Sequence, residues 1–213
     1  MQLHEKYRPN DWHDVVGQDK ALRTVRALKQ RGIAGRAYWI SGQSGVGKTT
    51  VARLLAQEVA DPYFIEEIDA TDLTPAALRQ VEQSMHHFSW GKGGRAYVVN
   101  EAHGLRRDTI RQLLVMLERL PAHAVMIFTT TIDGQDILFD GSEDAGPLLS
   151  RCHEIRLTNQ GLAKAFAERA KRIAEAEGLD GRPVDEYVKL VRECRNNMRA
   201  VLQRIDAGEM LAD

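Results

Sequence analysis

The 213-residue chain has few cysteines and no long apolar run, and each absence excludes a class of protein. Its two cysteines, Cys152 and Cys194, are too few for a four-cysteine zinc ribbon and lack the spacing of a disulfide framework. No apolar stretch approaches the roughly 18 residues that a membrane span needs. The first residues, MQLHEKYRPN, have no apolar core of a secretion signal. We therefore expect reduced thiols, no membrane partner and a cytoplasmic protein.

An excess of charge of either sign is also missing, because the formal net charge is −1. No overall field attracts the chain to nucleic acid or membranes, so any contact with a polyanion must come from a local patch. With 43% apolar and 28% charged residues, the composition is that of an ordinary globular protein. The length suits one domain, or one domain with a small satellite.

Short apolar runs alternate with amphipathic helical patterns in the first three quarters of the chain. The runs predict strands over 37–40, 64–68, 97–99, 125–128 and 154–157. The patterns between them predict helices over 19–29, 49–59, 75–85 and 108–120, and the Gly, Pro and acidic residues of 133–147 predict a loop. This alternation predicts an α/β fold with a parallel five-stranded sheet and flanking helices over residues 1–158.

After residue 158 only helical patterns remain. They cover 160–176, 184–194 and 197–207, with Gly and Pro between the first two. We therefore expect a second, small three-helix domain over residues 159–213.

The stretch GQSGVGKT after the first predicted strand matches the phosphate-binding P-loop pattern G-x-x-x-x-G-K-[ST]. Gly42, Gly45 and Gly47 allow positive φ angles and a close approach of backbone to phosphate. Loop N–H groups and the N-terminus of the following helix attract anions. Lys48 can reach the β- and γ-phosphates, and Thr49 can offer a hydroxyl to Mg²⁺. A strand before and a helix after complete the context that the motif requires.

The stretch YVVNEAH at residues 97–103 resembles the strand end at which P-loop ATPases carry an Asp followed by a Glu. Glu101 is present, but Asn100 stands in the place of the Asp. Losing a unit charge about 4 Å from a cation costs on the order of 4 kcal/mol at an effective dielectric constant of ~20. Since Mg²⁺ relies on phosphates and retained waters, this is an upper bound. We expect nucleotide binding to survive and hydrolysis to be slow.

Five segments in order around the P-loop resemble the AAA+ clamp-loader ATPases, which include bacterial polymerase III gamma/tau subunits and the small subunits of replication factor C. The segments are KYRPNDWHDVVGQ at 6–18, EIDATD at 67–72, EAHGLRRDTIRQLLVMLERLP at 101–121, LLSRC at 148–152 and NNMRAVLQ at 196–203. The resemblance implies an AAA+ ATPase domain with a helical lid, and ATP and Mg²⁺ as cofactors.

The resemblance also implies roles for individual residues. The ATP-binding residues would be Tyr7, Arg8, Pro9 and Val16 beside the adenine and Gly42, Gln43, Ser44, Gly45, Val46, Gly47, Lys48, Thr49 and Thr50 around the phosphates. Mg²⁺ would be held by Thr49 and, weakly or through water, by Asn100. Glu101 would position the attacking water.

Three further residues would read or stabilise the γ-phosphate. Thr130 would be the first sensor, with Thr129 and Thr131 as alternatives in register. Arg199 would contact the γ-phosphate from the lid. Arg151 would be an arginine finger that acts on the nucleotide of a neighbouring subunit, which would make hydrolysis depend on assembly.

The expected partners are other AAA+ subunits, primed or double-stranded DNA and a sliding clamp. Arg106, Arg107 and Arg111, at the start of the helix after Glu101, could bind DNA phosphates, but an ordinary solvated helix face fits them equally well.

Three functions remain open from the sequence. The first is a clamp-loader-like ATPase subunit, the second is a subunit that binds ATP without hydrolysis and donates Arg151, and the third is a RuvB-like or helicase-loading ATPase. Besides Asn100, two departures from the family bear on the choice. No zinc-binding insertion lies between the P-loop and the third predicted strand, which favours replication factor C small subunits or phage-type loaders over gamma/tau subunits. We also expect the helical collar that follows the lid in the family to be absent.

Overall fold

A computed structural model describes residues 1–87, 89–131 and 145–212. In this part of the chain five parallel strands form one sheet in the order β2-β3-β4-β1-β5. The strands are β1 Arg36–Ser41, β2 Ile65–Asp69, β3 Arg95–Asn100, β4 Ala124–Thr130 and β5 Cys152–Arg156. The parallel five-stranded sheet predicted from the sequence is confirmed.

Helices connect the strands and cover both faces of the sheet. They are α1 Leu3–Lys6, α2 Asp19–Gln30, α3 Lys48–Gln57, α4 Pro75–Met85, α5 Arg107–Glu118, α6 Ala145–Ser150, α7 Ala163–Glu177, α8 Val184–Glu193 and α9 Met198–Asp206. Short 3₁₀ turns lie at Trp12–Asp14, Pro62–Phe64 and Ala102–Gly104. Among the described residues, none of the helices has the length and apolar character needed to cross a bilayer.

The three central strands are almost entirely apolar because both of their faces are covered. On one face Tyr38 and Ile40 of β1 and Val98 of β3 pack in a cluster with α3 and the last three helices. On the other face Trp39 and Phe128 pack with α4, α5 and α6. Continuous apolar runs are typical of parallel strands buried on both sides. The order of the strands places the carboxyl ends of β1, β3 and β4 side by side at one edge.

Helices α7, α8 and α9 pack on one another and continue the first apolar cluster. Phe166 of α7, Tyr187 of α8 and Val201 of α9 are buried in the same cluster as the β1 residues. Leu157 and Leu162, on either side of the predicted boundary, also belong to it. The helices thus share a core with the sheet, and the division between residues 158 and 159 stays a prediction.

Helix α6 corrects the loop that the sequence predicts over residues 133–147. Residues 133–144 lie outside the described ranges, but Ala145, Gly146 and Pro147 begin a helix. Proline is compatible with the first turn of a helix, where its missing N–H would have no partner in any case. Burial of Ala145 and Leu148 in the second apolar cluster stabilises the short helix.

Candidate nucleotide-binding site

A cleft lies where the P-loop, the N-terminal segment and the last helix meet. Its lining residues are His4, Tyr7, Arg8, Pro9, Asp14, Val15, Val16, Ser44, Gly45, Val46, Gly47, Lys48, Thr49, Thr50, Glu101, Phe166, Arg169, Met198, Arg199 and Leu202. One end is polar and built from the P-loop. The other end contains apolar side chains from the N-terminal segment, α7 and α9. A cleft with one polar and one apolar end suits a ligand with phosphates and a flat base.

The P-loop connects β1 to α3 through two residues with positive φ angles. Gly45 has φ 77° and Gly47 has φ 105°, a region that residues with a Cβ rarely adopt. A Cβ added to Gly45 would lie 2.0 Å from Oδ1 of Asn197, whereas a Cβ on Gly47 would meet no atom within 4 Å. Position 47 therefore requires glycine because of its φ angle and not because of a steric clash. The open space beside Gly47 leaves room for an anion.

Lys48 is the first residue of α3, and its side chain is almost fully buried. Its ammonium group donates to the carbonyl oxygen of Gln43 at 3.0 Å. Burial lowers the pKa of Lys48, the nearby carboxylate of Glu101 raises it and Arg199 lowers it. Among residues 1–87, 89–131 and 145–212, the Gln43 carbonyl is the one hydrogen-bond partner of the ammonium group. A buried cation so bonded is incompletely neutralised, and an anionic group in the cleft would stabilise it.

Not every residue predicted to bind nucleotide reaches the cleft. Ser44 to Thr50 line it, as do Tyr7, Arg8, Pro9 and Val16. Gly42 and Gln43 do not. Gly42 lies against Leu157 and donates its N–H to Thr130 O at 3.3 Å, and Gln43 accepts a side-chain hydrogen bond from Asn159. These two residues shape the base of the loop.

Glu101 follows the last residue of β3 and lines the cleft with a left-handed backbone, φ 52° and ψ 49°. This conformation is costly for a residue with a Cβ and is often found at functional sites. Its carboxylate oxygen Oε2 lies 3.5 Å from Nδ1 of His103. The side chain is half exposed, so the carboxylate can contact both solvent and a bound ligand.

Asn100 does not line the cleft, because its amide group is bonded to the neighbouring strands. Its Nδ2 donates to Glu67 Oε2 at 3.4 Å, and its Oδ1 accepts from the hydroxyl of Thr129 at 3.0 Å. Glu67 is itself paired with Arg53 of α3, whose Nε lies 2.5 Å from Oε1. The amide is therefore an uncharged link between β2 and β4, next to a carboxylate that an Asp at position 100 would repel.

Thr130 is fully buried at the end of β4 and does not line the cleft. Its hydroxyl donates to the carbonyl oxygen of Thr131 at 3.1 Å and lies 3.4 Å from Nδ1 of His103. Thr129, one of the register alternatives, points to the opposite face and bonds Asn100. Which threonine senses phosphate stays a prediction.

Arg199 lines the cleft from the first turn of α9 and is exposed. The N-terminus of this helix lies on the P-loop, since Met198 N donates to Gly45 O at 3.2 Å. Asn197 caps the helix by accepting from Ala200 N at 3.1 Å. The cap places the positive end of the helix, and Arg199 with it, beside the phosphate-binding loop.

The sequence did not point to Arg169, which closes the far end of the cleft. From α7 its guanidinium donates to Asp14 O at 2.8 Å and to Tyr7 O at 2.9 Å. The N-terminal segment is thereby fixed to a helix more than 150 residues later in the chain. No local motif marks such a residue, because its partners are backbone carbonyls.

Arg151 lies between α6 and β5, at the edge of the sheet opposite the P-loop. Cys152 pairs with Ala37 in register, whereas the P-loop starts after Ser41, about 13 Å further along the strand at roughly 3.3 Å per residue. Arg151 bonds Glu118 at 2.6 Å and Pro147 O at 3.0 Å. It therefore lies far from the cleft of its own chain.

Arg106, Arg107 and Arg111 are exposed on the first turns of α5, with Arg106 at the N-cap position. They do not line the cleft. Whether this face of α5 binds DNA stays a prediction.

The fold and the cleft define a P-loop ATPase domain of the AAA class. Residues 38–141 match the AAA family, "ATPase family associated with various cellular activities". Solved structures of Thermotoga maritima RuvB mutants share the fold; for one of them the TM-score is 0.74 at 19% identity over 94% of this chain and 65% of that one. Because AAA domains bind nucleotides, this chain contains a nucleotide-binding domain.

Within this class the chain is homologous to gamma and tau subunits of bacterial DNA polymerase III. Subunit tau of Salmonella typhimurium is 30% identical over 178 residues, which are 73% of this chain and 26% of that protein. Subunit gamma of Buchnera aphidicola from Acyrthosiphon pisum is 26% identical over 229 residues, or 96% of this chain and 60% of that one. The resemblance stated from the motifs is confirmed, and the chain spans a quarter to three fifths of these relatives.

Proposed function

We propose that this chain is an ATP-binding AAA+ subunit of a clamp-loader-like DNA replication machine. It couples ATP binding and slow hydrolysis to engagement of primed DNA and a sliding clamp in the bacterial cytoplasm. Homology to gamma/tau subunits supports the class of machine. The cleft supports the ligand, because a buried lysine and two positive-φ glycines line one end and apolar side chains line the other.

The observation that carries the proposal is the buried ammonium group of Lys48 at the base of the cleft. Polyphosphate oxygens would replace Gln43 O as its partners, with the N–H groups of residues 45–49 around them. The side chains of Thr49 and Arg199 line the same end and fit Mg²⁺ and a terminal phosphate. Bound Mg²⁺ would neutralise charge on the β- and γ-phosphates. Glu101 lines the cleft at the end of β3, which supports a role in positioning the attacking water.

The opposite edge of the sheet supports assembly with a neighbouring subunit. Arg151 cannot reach its own cleft, so a role in hydrolysis requires that it enters the cleft of another subunit. In this chain the Arg151–Glu118 pair is exposed and therefore weak, and a partner could break it at little cost. We propose that the partners are other AAA+ subunits, whose ATP turnover Arg151 would stimulate.

The test measures nucleotide affinity and mass together. Isothermal titration with Mg²⁺-ATP should show saturable binding that Lys48→Met weakens, and mass in solution should rise when ATP and primed DNA are added with the partner subunits. In the assembled complex Arg151→Ala should lower turnover by about 10³- to 10⁵-fold while ATP affinity stays unchanged. Turnover that is identical in the isolated chain and the complex would contradict a finger acting in trans.

A second candidate is a subunit that binds ATP without cleaving it and donates Arg151 to a neighbour. The bonding of Asn100 favours it, because the amide is held by Glu67 and Thr129 and adds no negative charge for Mg²⁺. Single-turnover measurements with partner subunits and primed DNA separate the two candidates. Cleavage in this chain's own site, measured with partners that carry a disabled P-loop, supports the first candidate.

A further inference from the structure

We propose that His103 is the positioning residue for Glu101, and that buried Thr130 fixes the His103 ring for this task. The proposal rests on the proposed function, in which Glu101 positions the attacking water. It assigns a role to a side chain that the motif comparison leaves without one. His103 lies in the 3₁₀ turn Ala102–Gly104, two residues after Glu101.

Glu101 needs a partner outside its own backbone. Because its φ is 52°, the residue lies outside regular strand or helix geometry, and its carboxylate is half exposed. An exposed Glu side chain samples many rotamers, and fixing it costs conformational entropy. In the part of the chain that the structure describes, two cationic or donor groups are placed to restrict it. They are the ammonium group of Lys48, which attracts it across the cleft, and Nδ1 of His103 at 3.5 Å.

Binding of a polyphosphate would leave only one of these two groups for Glu101. Phosphate oxygens neutralise Lys48 and repel a carboxylate in the same cleft. Nδ1 of His103 then remains as the donor. With its proton on Nδ1, the imidazole can hold Glu101 Oε2 in a fixed direction toward the end of the cleft.

The His103 ring is itself restrained from the sheet side. Its Nδ1 lies 3.4 Å from Thr130 Oγ1, and that hydroxyl is fully buried and donates to Thr131 O at 3.1 Å. Oγ1 can therefore accept from the same Nδ1–H that faces Glu101. A proton shared between two acceptors agrees with two distances near 3.5 Å. Glu101, His103 and Thr130 thus form a carboxylate–imidazole–hydroxyl chain from the cleft into the end of β4.

Nitrogen NMR of ¹⁵N-histidine tests the contact directly, since the chain has only seven histidines. His4 lines the cleft and reports occupancy, whereas His123 bonds Met85 O far from it and reports an intact fold. The probe is Mg²⁺ with a non-hydrolysable ATP analogue. In the native chain the analogue should shift the signals of His4 and His103 but not that of His123.

Two variants define the outcome of the NMR experiment. In Glu101→Gln the His4 shift should persist and the His103 shift should be lost. In Thr130→Val the His103 signal should move before nucleotide is added, and Thr130→Ser should restore it. A His103 signal that responds equally in the native chain and in Glu101→Gln would overturn the proposal. A His4 signal that never moves would instead refute nucleotide binding and the proposed function.

Matched substitutions test the consequence for turnover in the assembled complex. Asparagine places an N–H donor near the position of Nδ1, whereas glutamine places one near Nε2. We expect His103→Asn to keep most of the single-turnover rate and His103→Gln to lower it about tenfold, both with unchanged ATP affinity. Equal rates for the two variants would contradict a role through Nδ1.

Discussion

The two polar regions around the cleft differ in how many of their side-chain hydrogen bonds are already made to other residues of the protein. At the carboxyl end of β1, the P-loop offers Lys48 and open space beside Gly47 to a ligand. At the carboxyl ends of β3 and β4, Asn100 is bonded to Glu67 and Thr129 of the neighbouring strands, and the hydroxyl of Thr130 donates to the carbonyl oxygen of Thr131. The first region is built to bind an anion, whereas the second is built to hold its strands together and leaves only Glu101 facing the cleft. We therefore expect that mutations can separate ATP binding from the proposed cleavage.

Within these two regions, the largest effect is expected at Glu101. Glu101→Gln removes the carboxylate proposed to position water and should lower turnover by about 10²- to 10⁴-fold, the usual contribution of a general base. ATP affinity should change by less than about threefold. Rapid-quench measurement of the assembled complex gives the rate, and titration gives the affinity. A variant that loses affinity and rate in equal proportion would show that the two regions are not separable.

The complementary change removes the cation of the P-loop. Lys48→Met keeps the length of the buried stem and deletes a charge-assisted bond worth about 1.5–3 kcal/mol. Affinity for Mg²⁺-ATP should fall by roughly 10- to 150-fold, as measured by isothermal titration. Lys189→Met, on the exposed face of α8, is the matched control and should leave affinity unchanged.

A smaller effect is expected from Asn100→Asp. The new carboxylate would lie beside Glu67, so like charges on neighbouring strands should destabilise the fold by roughly 0.2–1 kcal/mol in thermal unfolding. The negative charge of the new carboxylate would also attract Mg²⁺, and turnover should rise about tenfold or less. The double variant with Glu67→Gln should recover the stability. No gain in turnover in either variant would favour the subunit that binds ATP without cleaving it.

The smallest expected effect is the uptake of protons by Lys48 when nucleotide binds. Burial lowers the pKa of Lys48 in the empty cleft, and bound phosphate should raise it. Between these two pKa values, Lys48 is partly deprotonated in the free protein and protonated in the complex. Nucleotide binding therefore takes up a fraction of a proton. Titrations over a series of alkaline pH values, in two buffers of different ionisation enthalpy, measure this uptake. The uptake should vanish as the pH falls below the lowered pKa, where the lysine is charged in both states.

The sequence predicted the P-loop region better than the region at the carboxyl ends of β3 and β4, for a physical reason. The loop at residues 42–49 is local, because one stretch of chain supplies the glycines, the lysine and the helix start. The neighbours of Asn100 come from β2 and β4 and depend on strand order, so Glu67 and Thr129 could not be paired with it in advance. Helix α6 was missed because Gly146 and Pro147 are typical of loops. The contacts of Arg169 could not be predicted, because backbone carbonyls accept its hydrogen bonds and any residue type can supply them.

The contacts of Arg169 also order events during synthesis. Its partner Tyr7 is made 162 residues earlier, which at about 5–20 residues per second is roughly 8 to 30 seconds before Arg169 leaves the ribosome's catalytic centre. During that interval the sheet and the P-loop can form, but the N-terminal segment has no helix to hold it. The cleft is thus completed late in translation, and a nascent chain gains the N-terminal wall of the cleft only once α7 has folded against its first residues.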